Sequence, residues 1–253
     1  MEPTLILFEE RPKLNSPILV EGLPGVGNVG KLAVEHLIAK LKAKKLASIY
    51  SKHFPPQVLI GEDGVVRLVS NDLYYYKSQD GKDPDIVILT GDYQGTSQEG
   101  QYELSEKVLD LFADMGGKKI FTLGGWSVGK IIKNPRVLGA TTSPALVEQL
   151  RAFGVAFSKD EPAGGIVGAA GLLLGLGKLR GMEAACLMGE TSGYFSDPRS
   201  AQGVLEILAK ALNIHIDFAE LEERTKELDE LTARLDEMKP DVEVNKDELG
   251  YFG

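Results

Sequence analysis

Apolar positions along the chain alternate between two periods. Short apolar or β-branched runs at 4–8, 17–22, 46–50, 85–90, 118–123, 137–141 and 183–189 predict strands. Two more runs, 58–60 and 65–69, flank Gly61-Glu-Asp-Gly64 and predict a hairpin. Helical spacing occupies 29–41, 98–115, 144–153, 166–179 and 198–212. In the first of these, Val29, Leu32, Ala33, Leu37 and Leu41 form one stripe suited to lying on a sheet. Runs such as Ile86-Val-Ile-Leu89 are apolar without alternation, so both their faces should be buried in a largely parallel sheet. Strands alternating with helices make the fold class α/β, a single α/β sandwich domain over 1–215.

The pattern changes after 215. Ile214, Phe218, Leu221, Thr225, Leu228, Thr232 and Leu235 follow spacings of four and three, a heptad stripe over 216–239 of about three repeats. The stripe can be an amphipathic helix folded back on its own domain, or a self-association helix. The second reading is favoured, because threonines at core positions would pack poorly against a dry sheet. It makes Phe218, Leu221, Thr225, Leu228 and Leu235 the oligomerisation residues. Pro240 ends the helix, and 240–253 is expected to be an acidic mobile tail ending in Tyr251-Phe252-Gly253. Two aromatics beside a carboxylate suit either packing onto their own domain or capture by a partner, ring in an apolar pocket and carboxylate on a lysine or backbone nest.

Charge sharpens this division. The net charge of the 253 residues is −9, and 217–253 holds 13 acids against 5 bases, so the body is almost neutral. Nothing resembles the clustered Lys and Arg of a broad nucleic-acid face, and no apolar run is long enough to span a bilayer. One cysteine, Cys186, cannot form an internal disulfide, and the first residues carry no basic segment leading into an apolar one. A cytoplasmic protein binding neither nucleic acid nor membrane is expected.

Candidate chemistry is sparse. Gly25-Val-Gly-Asn-Val-Gly30 matches the dinucleotide fingerprint, but the next predicted strand runs into Ser51, Lys52 and His53 where a ribose-binding acid belongs, so a structural turn is the stronger reading. The glycine-rich 164–177 lacks the Gly-Lys-Ser/Thr of a phosphate loop, and His36, His53 and His215 have no metal-ligand spacing. Cys186 reads as a small core residue, and Trp126 as an anchor for loop packing. Polar loops follow two strands at 91–100 and 190–198, where open α/β sheets form ligand crevices. Asp92, Gln94, Glu99, Glu190 and Thr191 could line one. No catalytic residue, metal or cofactor is assigned.

Taken together, Gly22-Leu-Pro-Gly-Val-Gly-Asn-Val-Gly30, His53-Phe-Pro-Pro56, Gly91-Asp-Tyr-Gln94, Gly124-Gly-Trp126, the glycine-rich run from Pro162 to Gly175, Gly189-Glu-Thr-Ser-Gly193 and Asp197-Pro-Arg-Ser-Ala201 resemble the archaeal branch of the proteasome assembly chaperone family. The resemblance implies a nucleoside-phosphorylase-like α/β domain and a homo-oligomer of about three to five subunits. It also implies a non-catalytic chaperone or adaptor whose partners are proteasome α-subunits or another protein client. Some relatives are grouped with ATP-grasp ligases, but no nucleotide site here supports that activity. In the family, a C-terminal hydrophobic residue, a tyrosine and any residue insert between α-subunits. That motif would fall on Tyr251, Phe252 and Gly253, with Phe252 lacking the tyrosine hydroxyl. The alternative is a nucleoside- or phosphate-like small-molecule site or enzyme in the crevice.

Overall fold

The structure, a computed structural model, describes residues 4–79, 81, 83–158 and 164–237, the side chains of 235–237 excepted. In chain order the elements are β1 (Thr4–Phe8), β2 (Ile18–Glu21), α1 (Val29–Leu41), β3 (Lys44–Ser51), β4 (Val58–Ile60), β5 (Val66–Leu68), β6 (Asn71–Tyr76), β7 (Ile86–Gly91), α2 (Gln98–Asp114), β8 (Lys119–Ser127), β9 (Val137–Thr141), α3 (Pro144–Ala152), α4 (Ala169–Leu179), β10 (Glu183–Thr191), α5 (Pro198–Leu212) and α6 (Ala219–Glu237). Helix starts follow local chemistry. Ser97 caps α2 by accepting from Gly100 N at 3.0 Å, and Asp197 caps α5 by accepting from Ser200 N at 3.0 Å, with Pro198 at the first helical position.

Eight strands form one sheet in the order β1-β3-β6-β7-β2-β8-β10-β9, and β4 and β5 pair separately as the predicted hairpin. The uninterrupted apolar strands are central. All six residues of β7 are buried, and β2, β8 and β10 run parallel to it and to one another. The expectation of a largely parallel sheet holds only for these four. β1, β3 and β6 form an antiparallel flank, and β9 pairs antiparallel with β10, so the sheet is mixed. The sequence pattern does not predict β6. Its buried positions Asn71, Leu73 and Tyr75 alternate with half-buried ones, and a polar Asn-Asp start hides that alternation.

Helices cover both faces. Leu104, Val108, Leu109 and Phe112 of α2 and Leu173 of α4 pack on one side with Leu19, Ile120 and Cys186. Val34 and Leu37 of α1, Leu150 of α3 and Val204, Leu205 and Leu208 of α5 pack on the other with Val20, Phe121 and Leu187. Among the described residues no helix is long and apolar enough to cross a membrane.

The C-terminal stripe is partly committed to this domain. α6 folds back along α5: Leu221 is 1% exposed, and Arg199 near the start of α5 donates two 2.6 Å hydrogen bonds to Asp229. At the hinge, His36 Nε2 lies 2.7 Å from the Asp217 carbonyl oxygen and its ring stacks on Phe218, centroids 6.1 Å apart. Phe218 and Leu221 therefore serve the protein's own core, while Thr225 and Leu228 are half-buried. The threonines fit this arrangement because Thr225 and Thr232 donate back to the carbonyls of Leu221 and Leu228 at 2.8 and 2.9 Å. The Leu235 side chain lies outside the described residues. Leu221→Ala should lower stability by about 2–4 kcal/mol, read as a lower urea midpoint at fixed protein concentration. Unchanged unfolding together with a lower mass in solution would assign the residue to contacts between copies of the chain instead.

Candidate functional site

The glycine fingerprint is a packing device. A Cβ at Gly30 would lie 2.1 Å from the Leu123 carbonyl oxygen, and one at Gly22 would lie 2.2 Å from the Gly30 carbonyl oxygen. The end of β2, the first turn of α1 and β8 therefore touch backbone to backbone. Gly27 adopts φ +60°, turning the chain through a single 3-10 turn at Val26–Asn28. The topology agrees with this reading: β3, the strand after α1, pairs with β1 and β6 and not with β2, so no neighbouring parallel strand follows the fingerprint to place a ribose-binding acid.

Above the C-terminal ends of β2, β8 and β10 lies a cavity of about 570 Å³. Its walls are the glycine loop before α4, Gln94 and Gln101, and the 123–127 stretch of β8 with Trp126; Glu21, Cys186 and Met188 also line it. Gln94 fixes the mouth. Its Nε2 donates to the Pro24 carbonyl oxygen at 2.9 Å, and its Oε1 accepts from Ala169 N at 3.1 Å and from Gln101 Nε2 at 3.3 Å. The loop after β2, helix α2 and the start of α4 are thereby tied together. α4 begins at Ala169, three residues later than the sequence pattern predicts. Gly164 and Gly168, at φ +91° and +88°, keep the preceding residues in a loop that serves as a cavity wall.

Glu21 is the unusual group. It is 2% exposed; its Oε1 accepts from Leu23 N at 3.0 Å and its Oε2 is buried without a partner. Burial pushes its carboxyl up to about 8, against the smaller opposing effect of the Leu23 N–H, so the group is largely protonated at neutral pH. Register places Glu21 beside Thr122 and Thr122 beside Cys186, three neighbours across the sheet on the face under α4. Burial likewise pushes the Cys186 thiol up to about 12, which leaves it a poor nucleophile.

Of the residues expected to line a crevice, only Gln94 does. Asp92 is half-buried and gripped by Arg67, at 2.6 and 2.8 Å, and by Ser70 N at 3.0 Å. Burial alone would raise its carboxyl; these bonds outweigh that and hold it below the usual range. Glu190 accepts from Arg136 Nε and from Arg136 N, both at 3.0 Å, and the Arg136 bonds hold its carboxyl low. It clasps β10 to the segment leading into β9. Thr191 is fully buried against Gly27 and Gly125, and Glu99 stands exposed on the first turn of α2. Trp126, expected only to anchor a loop, forms part of the cavity wall. Sequence reasoning passed over Glu21, although a lone acid closing the apolar run Pro17-Ile-Leu-Val-Glu21 was the available signal. Among the described residues no group of three or more His, Cys, Asp or Glu could hold a metal ion. Tyr251, Phe252 and Gly253 lie outside the described residues.

Comparison with known proteins gives consistent matches along most of the chain. A family model described as the PAC2 family matches residues 19–236. The crystal structure of Pyrococcus furiosus PbaB, an archaeal proteasome activator, aligns with a TM-score of 0.89 and 46% identity, covering 93% of this chain and 100% of that one. PbaA of the same organism, an archaeal homologue of proteasome-assembly chaperone, aligns with a TM-score of 0.77 and 27% identity over 93% of this chain and 92% of its own. An uncharacterised protein of Methanocaldococcus jannaschii is 43% identical over 213 residues, 84% of this chain and 80% of that protein.

Proposed function

Because this chain belongs to the PAC2 family, we propose that it is a non-catalytic, self-associating protein of the proteasome chaperone or activator kind that binds proteasome α-subunits through its C-terminal segment. The observation that carries this reading is its likeness to the Pyrococcus furiosus proteasome activator over the whole of that chain. The placement of α6 supports it. Held along α5 at Leu221 and Asp229, the helix continues to Glu237, about 12 Å further at 1.5 Å per residue. The acidic residues after it then join the anchored body to Tyr251, Phe252 and Gly253.

Three residues offer little contact area, so a single copy should bind weakly. Several copies presented by one oligomer raise the effective concentration and can increase avidity by about 10² to 10⁴. Deleting Tyr251 to Gly253 should abolish capture of proteasome α-subunits while leaving the oligomer mass unchanged; capture at the wild-type level would rule out the tail as the binding element. Phe252→Tyr should strengthen capture about two- to tenfold, the value of one net hydrogen bond of about 0.5–1.5 kcal/mol.

A further inference from the structure

We propose that the cavity at the ends of β2, β8 and β10 is a binding site for a small, uncharged, planar molecule carrying a carbonyl or lactam acceptor, held by Glu21 acting as a hydrogen-bond donor. This site is separate from the C-terminal segment and goes beyond the partner-binding role. Three observations converge on it. Glu21 is buried beside the cavity with Oε1 occupied by Leu23 N and Oε2 unpartnered, and leaving a buried polar atom unpaired costs about 1–3 kcal/mol. The cavity, about 570 Å³, is far larger than a single water requires and falls in the range of small-molecule sites. The space is also kept open by sequence: a Cβ at Gly124, on its wall, would meet nothing within 4 Å.

The lining selects the ligand class. It contains no Lys or Arg among the described residues, so a phosphate or carboxylate would enter without a cationic side chain to pair with. With its proton retained, Glu21 offers no negative charge to a cation either. A protonated carboxyl whose Oε1 already accepts carries its hydrogen most usefully on Oε2, as a donor seeking an acceptor. Leu23, Ile166 and Met188 supply apolar surface, and Trp126 adds an aromatic face suited to a flat ring.

Trp126 is the chain's single tryptophan, so its indole N–H gives one assigned resonance that reports on the cavity directly. The full-length protein is titrated with uracil, hypoxanthine and nicotinamide as neutral probes, and with inorganic phosphate and benzylamine as charged ones. At least one neutral probe should shift the Trp126 signal saturably, with a dissociation constant below about 1 mM, and neither charged probe should. Glu21→Gln, which keeps an acceptor for Leu23 N and a donor for the ligand, should bind within about threefold of wild type. Glu21→Leu should bind about tenfold more weakly. Gly124→Leu, whose side chain enters the open space, should not bind, and it preserves the test should Glu21→Leu fail to fold. Silence from all three neutral probes, binding of a charged probe in their place, or undiminished binding by folded Gly124→Leu would each overturn the proposal.

Discussion

Replacing Glu21 with glutamine should leave stability nearly unchanged at pH 4 and raise it by about 5 kcal/mol above pH 8. The carboxyl is pushed from 4.5 to about 8 by burial in the folded protein, whereas in the unfolded chain it titrates near its ordinary value. Below pH 4.5 it is protonated in both states, and folding carries no ionisation penalty. As pH rises through the interval between the two values, the unfolded chain sheds its proton and the folded chain does not. The native state then loses about 1.4 kcal/mol of relative stability per pH unit. The loss is complete once pH passes the folded value. Glutamine is neutral throughout, close in shape, and able to accept from Leu23 N in the same way. Subtracting urea midpoints of the variant and the wild type at pH 4, 6 and 8 cancels the other titrations the two proteins share. Parallel curves would mean that Glu21 ionises freely in the folded state, in conflict with its 2% exposure.

How far the sequence discloses this architecture depends on how local the deciding forces are. The bounds of α1 and α5 are legible because each carries an apolar stripe on a single face, and α5 adds an Asp-Pro start. The antiparallel flank is less so: β6 pairs with strands before and after it in sequence, and its burial comes from those neighbours rather than from a strong apolar run of its own. Asp92 and Glu190 stand at strand ends, as a crevice acid would. What removes them from the cavity are Arg67 in the β5 hairpin and Arg136 before β9, whose approach no local pattern announces. Glu21 is the converse, since an acid at the end of a short strand reads as the start of a turn. The glycine loop before α4 that shares the cavity with it lies more than a hundred residues away in sequence. The C-terminal stripe shows the same limit. Heptad spacing states that one side of α6 is apolar, and the Arg199–Asp229 pair and the His36–Phe218 stack decide that its first half faces α5 and α1.

The fingerprint glycines should separate sharply when each is given a methyl group. Gly30→Ala is expected to cost at least about 4 kcal/mol and to deny the protein its native fold at ordinary growth temperatures. The added carbon would sit 2.1 Å from the Leu123 carbonyl oxygen and 2.9 Å from its carbonyl carbon, both backbone atoms of a strand paired on each side. No side-chain rotation relieves that contact, so α1 would have to lift from the sheet and give up the packing of Val34 and Leu37, each fully buried. Gly25→Ala meets nothing closer than 4.0 Å and stands in an extended conformation, φ −163°, that other residues adopt; it should change stability by less than about 1 kcal/mol. In a dinucleotide loop the third glycine also serves helix–strand packing, while the first shapes the turn and the second lets the backbone approach a pyrophosphate, so such a loop would make Gly25 and Gly27 sensitive in nucleotide-binding assays in addition to Gly30. Thermal unfolding of the two variants tests whether Gly30 carries the packing contact and Gly25 does not. If Gly30→Ala proves as stable as Gly25→Ala, the close contact of β2, α1 and β8 is not what these glycines provide.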